Sequence, residues 1–320
     1  MVYDLIIIGA GPAGISACLY AARQKLKFLC VTKDIGGLAN FIPEIDTYLG
    51  YHYMSGFELV KKFREHLRDY GVQACVGGVK SIQKTRAERS PTGRSRTRSA
   101  RERKNFLVTA DCGRYETKSI LIATGRGFKK LSVKGEAEFE NKGLSHCAAC
   151  DGPLFKDKVV AVIGGGKSGL LSAMFLLKIA KKIYLLEKNP RLSESHVNPD
   201  VISAIKKSKK VEIITNANTT EILGNKFVTG LNYKQNEKTK TLNVGGVFVE
   251  IGYVPHNDFL KGFVKLNARG EIIINKENET SVRGIFAAGD CTDVQEKQVI
   301  VAAGEGAKAC LSALTYVMEN

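Results

Sequence analysis

The segment SHCAACDGPLF, residues 145–155, places Cys147 and Cys150 three positions apart and follows them directly with Asp151. A Cys-x-x-Cys pair can bind a metal, form a structural disulfide, or exchange electrons with another disulfide. Each use makes a different demand on the rest of the chain, so the elements around the pair have to distinguish them.

Two stretches of the chain repeat one pattern at a spacing of 155 residues. DLIIIGAGPAGISACLYAAR begins at Asp4 and VVAVIGGGKSGLLSAMFLLK begins at Val159. Each contains a short apolar run, the pattern G-x-G-x-x-G and an apolar helical pattern, which is the opening unit of a dinucleotide-binding fold. The repeat therefore predicts two dinucleotide sites, and two sites of different kinds suggest a flavin and a nicotinamide.

The glycines of each copy have defined physical roles. Gly9 makes the tight turn, Gly11 lets backbone amides approach a pyrophosphate, and Gly14 lets the helix pack closely on the strand. The helix N-terminus adds partial positive charge next to the phosphates. The same three roles fall in the second copy to Gly164, Gly166 and Gly169.

Two later segments predict the remainder of the architecture. VRGIFAAGDCT, residues 282–292, is a strand ending at Asp290, whose carboxylate could accept hydrogen bonds from ribityl or ribose hydroxyls or could simply cap a turn. VEIGYVP, residues 249–255, ends in glycine and proline, as expected of a domain crossover. We expect an α/β chain with two Rossmann-like domains, the second inserted in the first. The expected domains are FAD-binding parts at 1–123 and 255–320 and an NAD(P)H-binding domain with the Cys-x-x-Cys pair at 124–254.

Composition favours a soluble cytoplasmic protein. The 320 residues are 44% hydrophobic and 25% charged, no apolar run approaches the ~20 residues of a membrane span, and the N-terminus lacks a basic secretory leader. Cytosolic thiols stay reduced unless they are catalytic or bind metal, so eight cysteines do not indicate a disulfide framework. We expect ordinary core or surface roles for the six isolated cysteines, which are Cys18, Cys30, Cys75, Cys112, Cys291 and Cys310.

An arginine-rich stretch at residues 84–104 holds nine Lys or Arg and two Glu of a chain with net charge +16. It has no apolar periodicity and lies between the strand-like runs GGVKSI and NFLVTA, which predicts a disordered, greatly extended hairpin loop. A polyanion contact is the alternative, and the lack of interleaved aromatic residues disfavours nucleic acid.

The motifs CAACDGPLFKDKVVAVIGGGKSG, GIFAAGDCT, KQVIVAAGEGAKA and IIIGAGPAGISA together resemble the low-molecular-weight thioredoxin reductases. They most closely resemble the flavoprotein subunit of alkyl hydroperoxide reductase, and only residues 84–104 fall outside the likeness. That subunit carries thioredoxin-like modules ahead of its flavin domain. This chain begins at the flavin strand, so we expect it to act on a separate partner.

The resemblance selects redox exchange for the Cys-x-x-Cys pair. A metal site would need more ligands than the two cysteines and the adjacent His146 provide, and the chain has no second Cys-x-x-Cys pair. A structural disulfide that spans only two intervening residues closes a very short loop and therefore stabilises the fold little. The resemblance implies that Cys150 receives electrons from FAD, that Cys147 attacks the partner's disulfide, and that Asp151 protonates a leaving thiolate. We expect His146 to be merely an exposed polar residue, with tuning of a thiol as the alternative, and we expect no metal.

The motifs and the resemblance together imply the cofactor contacts. Glu187, about 20 residues after the second glycine turn, should accept hydrogen bonds from the ribose of NADH and repel the 2′-phosphate of NADPH, although NADPH use stays an alternative. The resemblance also leaves the adenosine contact at Asp34 open. The full set of expected cofactor-binding residues is Gly9, Gly11, Pro12, Ala13, Gly14, Asp34, Gly36, Gly37, Ala123, Thr124, Gly125, Gly164, Gly166, Lys167, Ser168, Gly169, Glu187, Gly289, Asp290, Lys297, Gln298 and Val299.

The expected function is that of an NAD(P)H-dependent flavoprotein disulfide reductase. Its expected partner is a thioredoxin-like or glutaredoxin-like protein, which could in turn feed a peroxiredoxin, and the family implies a homodimer. The alternatives are an NAD(P)H oxidase whose Cys-x-x-Cys pair is incidental, or a reductase that also docks on a polyanion through residues 84–104.

Overall fold

The computed structural model describes residues 1–42, 44–85, 105–195 and 197–320. The strands are β1 (Val2–Ala10), β2 (Phe28–Ile35), β3 (Ala74–Val76), β4 (Val79–Lys84), β5 (Phe106–Ala110), β6 (Gly113–Ile122), β7 (Arg126–Phe128), β8 (Leu144–Ser145), β9 (Val159–Ile163), β10 (Lys182–Leu186), β11 (Val211–Ile214), β12 (Asn218–Gly224), β13 (Val228–Gln235), β14 (Lys238–Asn243), β15 (Gly246–Val249), β16 (Tyr253–Pro255) and β17 (Ile285–Ala287). The helices are α1 (Pro12–Arg23), α2 (Gly56–Asp69), α3 (Glu136–Phe139), α4 (Ala148–Asp151), α5 (Lys167–Leu176), α6 (Pro199–Lys207) and α7 (Val299–Glu319).

The chain divides into two compact units. One unit joins Met1–Gly127 to Val254–Asn320, and the other is Phe128–Tyr253. The second unit is therefore inserted in the first, and the predicted α/β class with an inserted domain is confirmed. The sequence placed the boundaries after residues 123 and 254; the units divide after residues 127 and 253, where the chain crosses in β7 and β16.

The first unit is built on a parallel sheet in the order β3-β2-β1-β6, with β17 also paired to β6. The central strand β1 is covered on both faces, and Leu5, Ile6 and Ile7 are fully buried. A strand that is buried on both faces must be a continuous apolar run rather than an alternating one. The run LIII, residues 5–8, has this pattern and therefore predicts a buried strand. Helices α1 and α7 pack against one face of this sheet.

The second unit repeats the arrangement with a smaller sheet. Its parallel strands run in the order β11-β10-β9-β15-β8, and α5 and α6 contribute to the core on one face. An antiparallel sheet, β12-β13-β14, contributes to the core on the other face. The carboxyl ends of β9, β10 and β15 lie at one edge of the parallel sheet, which is where ligands bind in open α/β sheets.

The two runs that flank the arginine-rich stretch are strands, as predicted. Strands β4 and β5 pair antiparallel, with Lys84 opposite Phe106, and the Thr85 amide donates to the Asn105 carbonyl oxygen at 2.8 Å. The predicted disordered loop and its polyanion contact covered residues 84–104. Lys84 is instead the last residue of β4, and residues 86–104 lie outside the described residues.

The expectation of six unpaired cysteines was wrong for two of them. Cys75 on β3 and Cys112 in the turn between β5 and β6 form a disulfide, with their Cα atoms 6.4 Å apart. That separation is in the usual range for a disulfide. The pairing depends on the β5–β6 turn approaching β3, a contact that no local pattern reports. The other four isolated cysteines are buried and free, as expected: Cys18, Cys30, Cys291 and Cys310.

Within the described parts of the chain, no helix is both long and apolar enough to cross a bilayer.

Candidate active site

The Cys-x-x-Cys pair lies where β8 ends and the single-turn helix α4 begins. Cys147 and Cys150 are joined by a disulfide, with their Cα atoms 5.4 Å apart. Cys147 occupies the N-cap position of α4, and its Sγ accepts a hydrogen bond from the Cys150 backbone amide at 3.2 Å. Cys147 is half-buried and Cys150 is exposed. The two cysteines of the predicted redox pair are therefore joined, and the second of them is an exposed residue.

Asp151 is held beside the pair by a serine that the sequence did not single out. The Ser145 hydroxyl donates to Asp151 Oδ2 at 2.6 Å, and Ser145 Oγ accepts from the Cys147 amide at 3.0 Å. Ser145 is buried at the end of β8, so it fixes the carboxylate relative to the Cys147 backbone. A serine two residues before a Cys-x-x-Cys pair is too common a feature to have pointed to this contact.

The prediction that His146 is an exposed polar residue was wrong. His146 is half-buried, its Nδ1 lies 3.3 Å from the Val249 carbonyl oxygen, and its ring stacks on Phe128 at 5.2 Å. The parallel pairing of β8 with β15 brings Val249 to this position, a long-range contact that the local sequence does not show.

Across the described residues, no group of three or more His, Cys, Asp or Glu side chains is arranged to hold a metal ion.

The first glycine turn has the geometry that its motif requires. Gly9 has φ +100°, a conformation that favours glycine, and a Cβ at this position would collide with the Ala123 carbonyl. A Cβ on Gly14 would collide with the Gly9 carbonyl oxygen, so α1 packs directly on the turn. Gly11 differs, because a Cβ there would meet nothing within 4 Å. The open space at Gly11 is the room that a pyrophosphate needs.

The second turn repeats this geometry around α5. Gly164 has φ +116°, and a Cβ on Gly169 would collide with the Gly164 carbonyl oxygen. A Cβ on Gly166 would again meet nothing within 4 Å. The N-cap residues of α1 and α5 are Gly11 and Gly166, which have no side chain to cap the first turn, so the helix N-termini can offer backbone amides to phosphate oxygens. Lys167 and Ser168 are the first residues of α5. Both turns therefore fit the phosphates of a dinucleotide.

The structure brings several of the other predicted flavin-binding residues to the first turn. Thr124 lies with Ala123 against Gly9, Gly37 approaches Gly11, and Gly289 lies against Ala13. Pro12 is the first residue of α1, and Gly125 has φ +62° with open space at its Cβ position. Asp34 is an exposed residue near the end of β2 whose Oδ1 accepts from the Gly37 amide at 2.8 Å, and Gly36 has φ +109°.

Asp290 has a partner that the sequence did not indicate. Its Oδ2 lies 2.8 Å from Nε of Arg126, and both side chains are partly exposed. Lys297 lies close by: its Nζ donates to the carbonyl oxygens of Asp290 and Thr292 at 3.3 and 2.5 Å and lies 3.2 Å from a carboxylate oxygen of Glu271. Lys297 therefore holds the backbone of the loop that contains Asp290 and Thr292. Gln298 is the N-cap residue of α7 and Val299 its first residue.

Glu187 directly follows β10 and is buried, with 7% of its surface exposed. Its Oε2 accepts from the Gly165 amide at 2.7 Å, and its Oε1 accepts from the Asn189 amide at 2.8 Å and from Asn189 Nδ2 at 2.7 Å. Lys188 and Arg191 are exposed. The carboxylate is thus fixed against the second glycine turn.

Comparison with known proteins agrees with this geometry. Residues 3–306 match the family described as pyridine nucleotide-disulphide oxidoreductase. The chain is 39% identical over 321 aligned residues to the Staphylococcus aureus F subunit of alkyl hydroperoxide reductase, covering 99% of this chain and 60% of that protein. The corresponding Staphylococcus epidermidis protein is 38% identical with the same coverage. The chain therefore spans 60% of the length of these relatives.

Two solved structures share the whole fold. Thioredoxin reductase of Lactococcus lactis superposes with a TM-score of 0.82 at 30% identity, covering 99% of this chain and 100% of that one. Thioredoxin reductase of T. acidophilum superposes with a TM-score of 0.79 at 36% identity, covering 99% of each chain. The likeness includes both the flavin-type and the nicotinamide-type halves.

Proposed function

The chain belongs to the pyridine nucleotide-disulphide oxidoreductase family, and from that premise we propose that it reduces the disulfide of a separate protein. The net reaction consumes NADH, a proton and the partner's disulfide, and yields NAD⁺ and the partner's dithiol. The Cys147–Cys150 disulfide would relay two electrons to the partner, and a bound FAD would supply them. A family member of this kind uses a flavin and a pyridine nucleotide, and the two glycine turns are the parts of the chain that would hold them.

The observation that carries the proposal is the environment of the Cys147 sulfur. Its Sγ accepts the Cys150 amide hydrogen bond at the start of α4, and a hydrogen bond to a thiolate favours the charged form. After the disulfide is reduced, Cys147 is therefore suited to be the attacking thiolate. Bound FAD would supply the electron pair for that reduction.

The exchange with the partner follows from this assignment. The Cys147 thiolate attacks one sulfur of the partner's disulfide, which breaks that bond and releases the second partner sulfur as a thiolate. Cys150 then attacks Cys147 Sγ, which restores the internal disulfide and releases the first partner sulfur. The released sulfurs need protons, and we assign their delivery to the Asp151 carboxyl, which Ser145 holds.

We propose NADH as the preferred coenzyme because of Glu187. Its carboxylate has about four lone-pair directions, so hydrogen bonds from Gly165 and Asn189 leave capacity for ribose hydroxyls. The same charge would repel a 2′-phosphate. Lys188 and Arg191 are exposed, and neither is fixed toward the turn by a described ion pair.

The proposed partner is a thioredoxin-like or glutaredoxin-like protein, with a peroxiredoxin as a further acceptor. Similarity to thioredoxin reductases and to the F subunit of alkyl hydroperoxide reductase supports this chemistry. The chain spans 60% of the latter, so the activity of that whole protein comes here only as a proposal. We further propose a cytoplasmic homodimer, which analytical ultracentrifugation and cell fractionation would test.

The decisive experiment is an anaerobic titration of the purified, FAD-loaded protein with NADH and, separately, with NADPH. Bleaching of the flavin reports hydride uptake, and a thiol assay before and after the titration reports reduction of Cys147–Cys150. We expect two new thiols per chain and subsequent reduction of a thioredoxin-like substrate. Flavin bleaching with no new thiols and rapid oxygen consumption would instead identify an oxidase. Salt-sensitive retention on heparin would indicate an additional contact with a polyanion, which is compatible with the reductase activity.

A further inference from the structure

Glu250 is a buried carboxylate that the exchange reaction above does not use. It follows β15 directly, at the carboxyl edge of the parallel sheet in the second unit, and only 8% of its surface is exposed. The Ser172 hydroxyl donates to Oε1 at 2.6 Å, and the Ser168 hydroxyl donates to Oε2. Burying a charge is costly unless hydrogen-bond donors surround it, so these contacts account for how the carboxylate is tolerated.

The two serines tie Glu250 to the nucleotide side of the unit. Ser168 lies in the first turn of α5, and Ser172 lies one turn further along the same helix. The Glu250 backbone also touches the glycine turn, because a Cβ on Gly164 would collide with the Glu250 carbonyl oxygen. Glu250 therefore contacts the second dinucleotide turn through both its main chain and its side chain.

A further contact ties Glu250 to the redox pair. The Ala148 backbone amide is close enough to the Glu250 carboxylate to lower its pKa, and Ala148 is a buried residue between the two cysteines. The neighbouring Val249 carbonyl oxygen lies 3.3 Å from His146 Nδ1. Glu250 and the residue before it thus hold the segment that leads into α4. Burial raises the pKa of Glu250, while the two serine hydroxyls, the charge of His146 and the Ala148 amide lower it.

We propose that Glu250 is a positioning residue that fixes the Cys147–Cys150 motif against the nucleotide-binding turn. The Glu250 carboxylate holds Ser168 at the start of α5, and the adjoining Val249 carbonyl contacts His146 directly before the redox motif, so a displacement at either contact is passed to the other. The inference rests on the proposed function, which assigns the turn to the nicotinamide nucleotide. Its consequence is that occupancy of the turn alters the relative reactivity of the two cysteines, and that this influence passes through Glu250.

The test measures cysteine reactivity directly. The full-length protein is reduced with dithiothreitol, the reductant is removed, and a brief iodoacetamide pulse is read as the ratio of Cys147 to Cys150 alkylation by peptide mass spectrometry. The pulse is repeated with saturating NAD⁺. In the unmutated protein we expect NAD⁺ to change the ratio at least threefold. In Glu250→Ala we expect that response to fall below 1.5-fold, with partial recovery in Glu250→Gln, whose amide oxygen still accepts a hydrogen bond.

The matched control is Glu187→Gln, which alters the other buried carboxylate at the same turn. Glu187 contacts Gly165 and Asn189 but no residue of the redox motif in the described contacts. We expect it to weaken NAD⁺ binding by calorimetry while saturating NAD⁺ still changes the alkylation ratio. If Glu250→Ala does not fold by circular dichroism, Glu250→Gln carries the test alone, and a reduced response supports the proposal.

An NAD⁺ response equal to that of the unmutated protein in every folded Glu250 variant would overturn the proposal, as would the lack of any response in the unmutated protein. These outcomes are separate from failure of the proposed function. The alkylation assay uses chemical reduction and needs no turnover, whereas the proposed function fails if NADH produces no new thiols in the FAD-loaded protein.

Discussion

Cys75 and Cys112 are linked by a disulfide across 37 positions of the chain, and the bond ties the edge strand β3 to the turn between β5 and β6. Tyr115 supports the same corner, because its hydroxyl donates to the Cys112 carbonyl oxygen at 2.7 Å and lies 3.7 Å from Cys75 Sγ. The cross-link is far from the redox motif in sequence and belongs to the other unit. It should therefore contribute to stability rather than to electron transfer.

Removing this cross-link should destabilise the protein by roughly 4 kcal/mol, the loop-closure entropy expected for a loop of this length. The double variant Cys75→Ser/Cys112→Ser should show this loss in urea unfolding without reductant. The variant Cys147→Ser/Cys150→Ser, which opens a much shorter loop, should lose less. In the denatured, unreduced wild-type protein, a thiol assay should find the four free cysteines only. Six reactive thiols would show that Cys75 and Cys112 are not joined.

Replacing Cys147 and replacing Cys150 should affect the flavin absorption spectrum differently. If Cys150 is the sulfur that receives electrons from FAD, Cys147→Ser should produce a long-wavelength charge-transfer absorption between the Cys150 thiolate and the flavin, whereas Cys150→Ser should lack that band. Both variants should lose disulfide reductase activity, because each removes one partner of the exchange. Both should retain flavin reduction by NADH, measured anaerobically by stopped flow.

The control for this pair is Cys291→Ser, which alters a buried free cysteine of the first unit and should leave disulfide reduction measurable. The assignment is reversed if the charge-transfer band appears in Cys150→Ser and not in Cys147→Ser. It is abandoned altogether if either redox variant turns over a disulfide protein at the wild-type rate.

Sequence reasoning identified the parts of the site that depend on local backbone chemistry. The glycines of both turns could be assigned because strand, turn and helix follow one another within a few residues, and Gly9 and Gly164 indeed have positive φ. Contacts made across the sheet could not be assigned. Glu250 directly follows strand β15, about 100 positions after the cysteines, and comes close to Ala148 only because β15 lies between β8 and β9. Arg126 reaches Asp290 across an even longer separation.

Glu250 should also leave a signature in the pH dependence of stability. Burial raises its folded-state pKa above the ordinary value of 4.5, so between these two values the folded protein binds more protons than the unfolded chain. Stability contributed by this group therefore falls as pH rises through that window. Glu250→Gln cannot titrate, so its free energy of unfolding relative to wild type should increase from pH 4.5 upward.

The measurement is urea unfolding of wild type and Glu250→Gln from pH 4 to pH 8. The difference between their free energies of unfolding is plotted against pH, because the contributions of all the other titrating groups cancel in this difference to first order. Ser172→Ala removes a hydroxyl that lowers the Glu250 pKa, and it should shift the titration window to higher pH. A difference between Glu250→Gln and wild type that stays constant over this range would show that the Glu250 pKa is unchanged by folding.

Coenzyme choice should depend on the charge of Glu187. The carboxylate is fixed by the Gly165 amide at 2.7 Å and by Asn189, so it cannot turn away from an incoming ribose without breaking these bonds. Vicinal ribose hydroxyls are donors to such a carboxylate, whereas a 2′-phosphate brings up to two negative charges next to it. The nearby bases, Lys188 and Arg191, are exposed and would have to reorient to offset that repulsion.

We therefore expect NADH to exceed NADPH by at least tenfold in kcat/KM, which corresponds to about 1.4 kcal/mol of transition-state binding. Glu187→Arg should narrow or reverse the preference, because it replaces the repelling charge with a cation that can pair with the phosphate. Glu187→Gln separates the two effects: it removes the charge but keeps an acceptor, so NADPH should improve while NADH weakens only modestly. Lys188→Ala/Arg191→Ala serves as the control for capture of the phosphate by the exposed bases. The assignment is contradicted if, in steady-state kinetics, the unmutated protein uses NADPH as well as NADH and the Lys188→Ala/Arg191→Ala control loses its activity with NADPH. That result would mean that the two bases bind the 2′-phosphate and that Glu187 does not determine the choice of coenzyme.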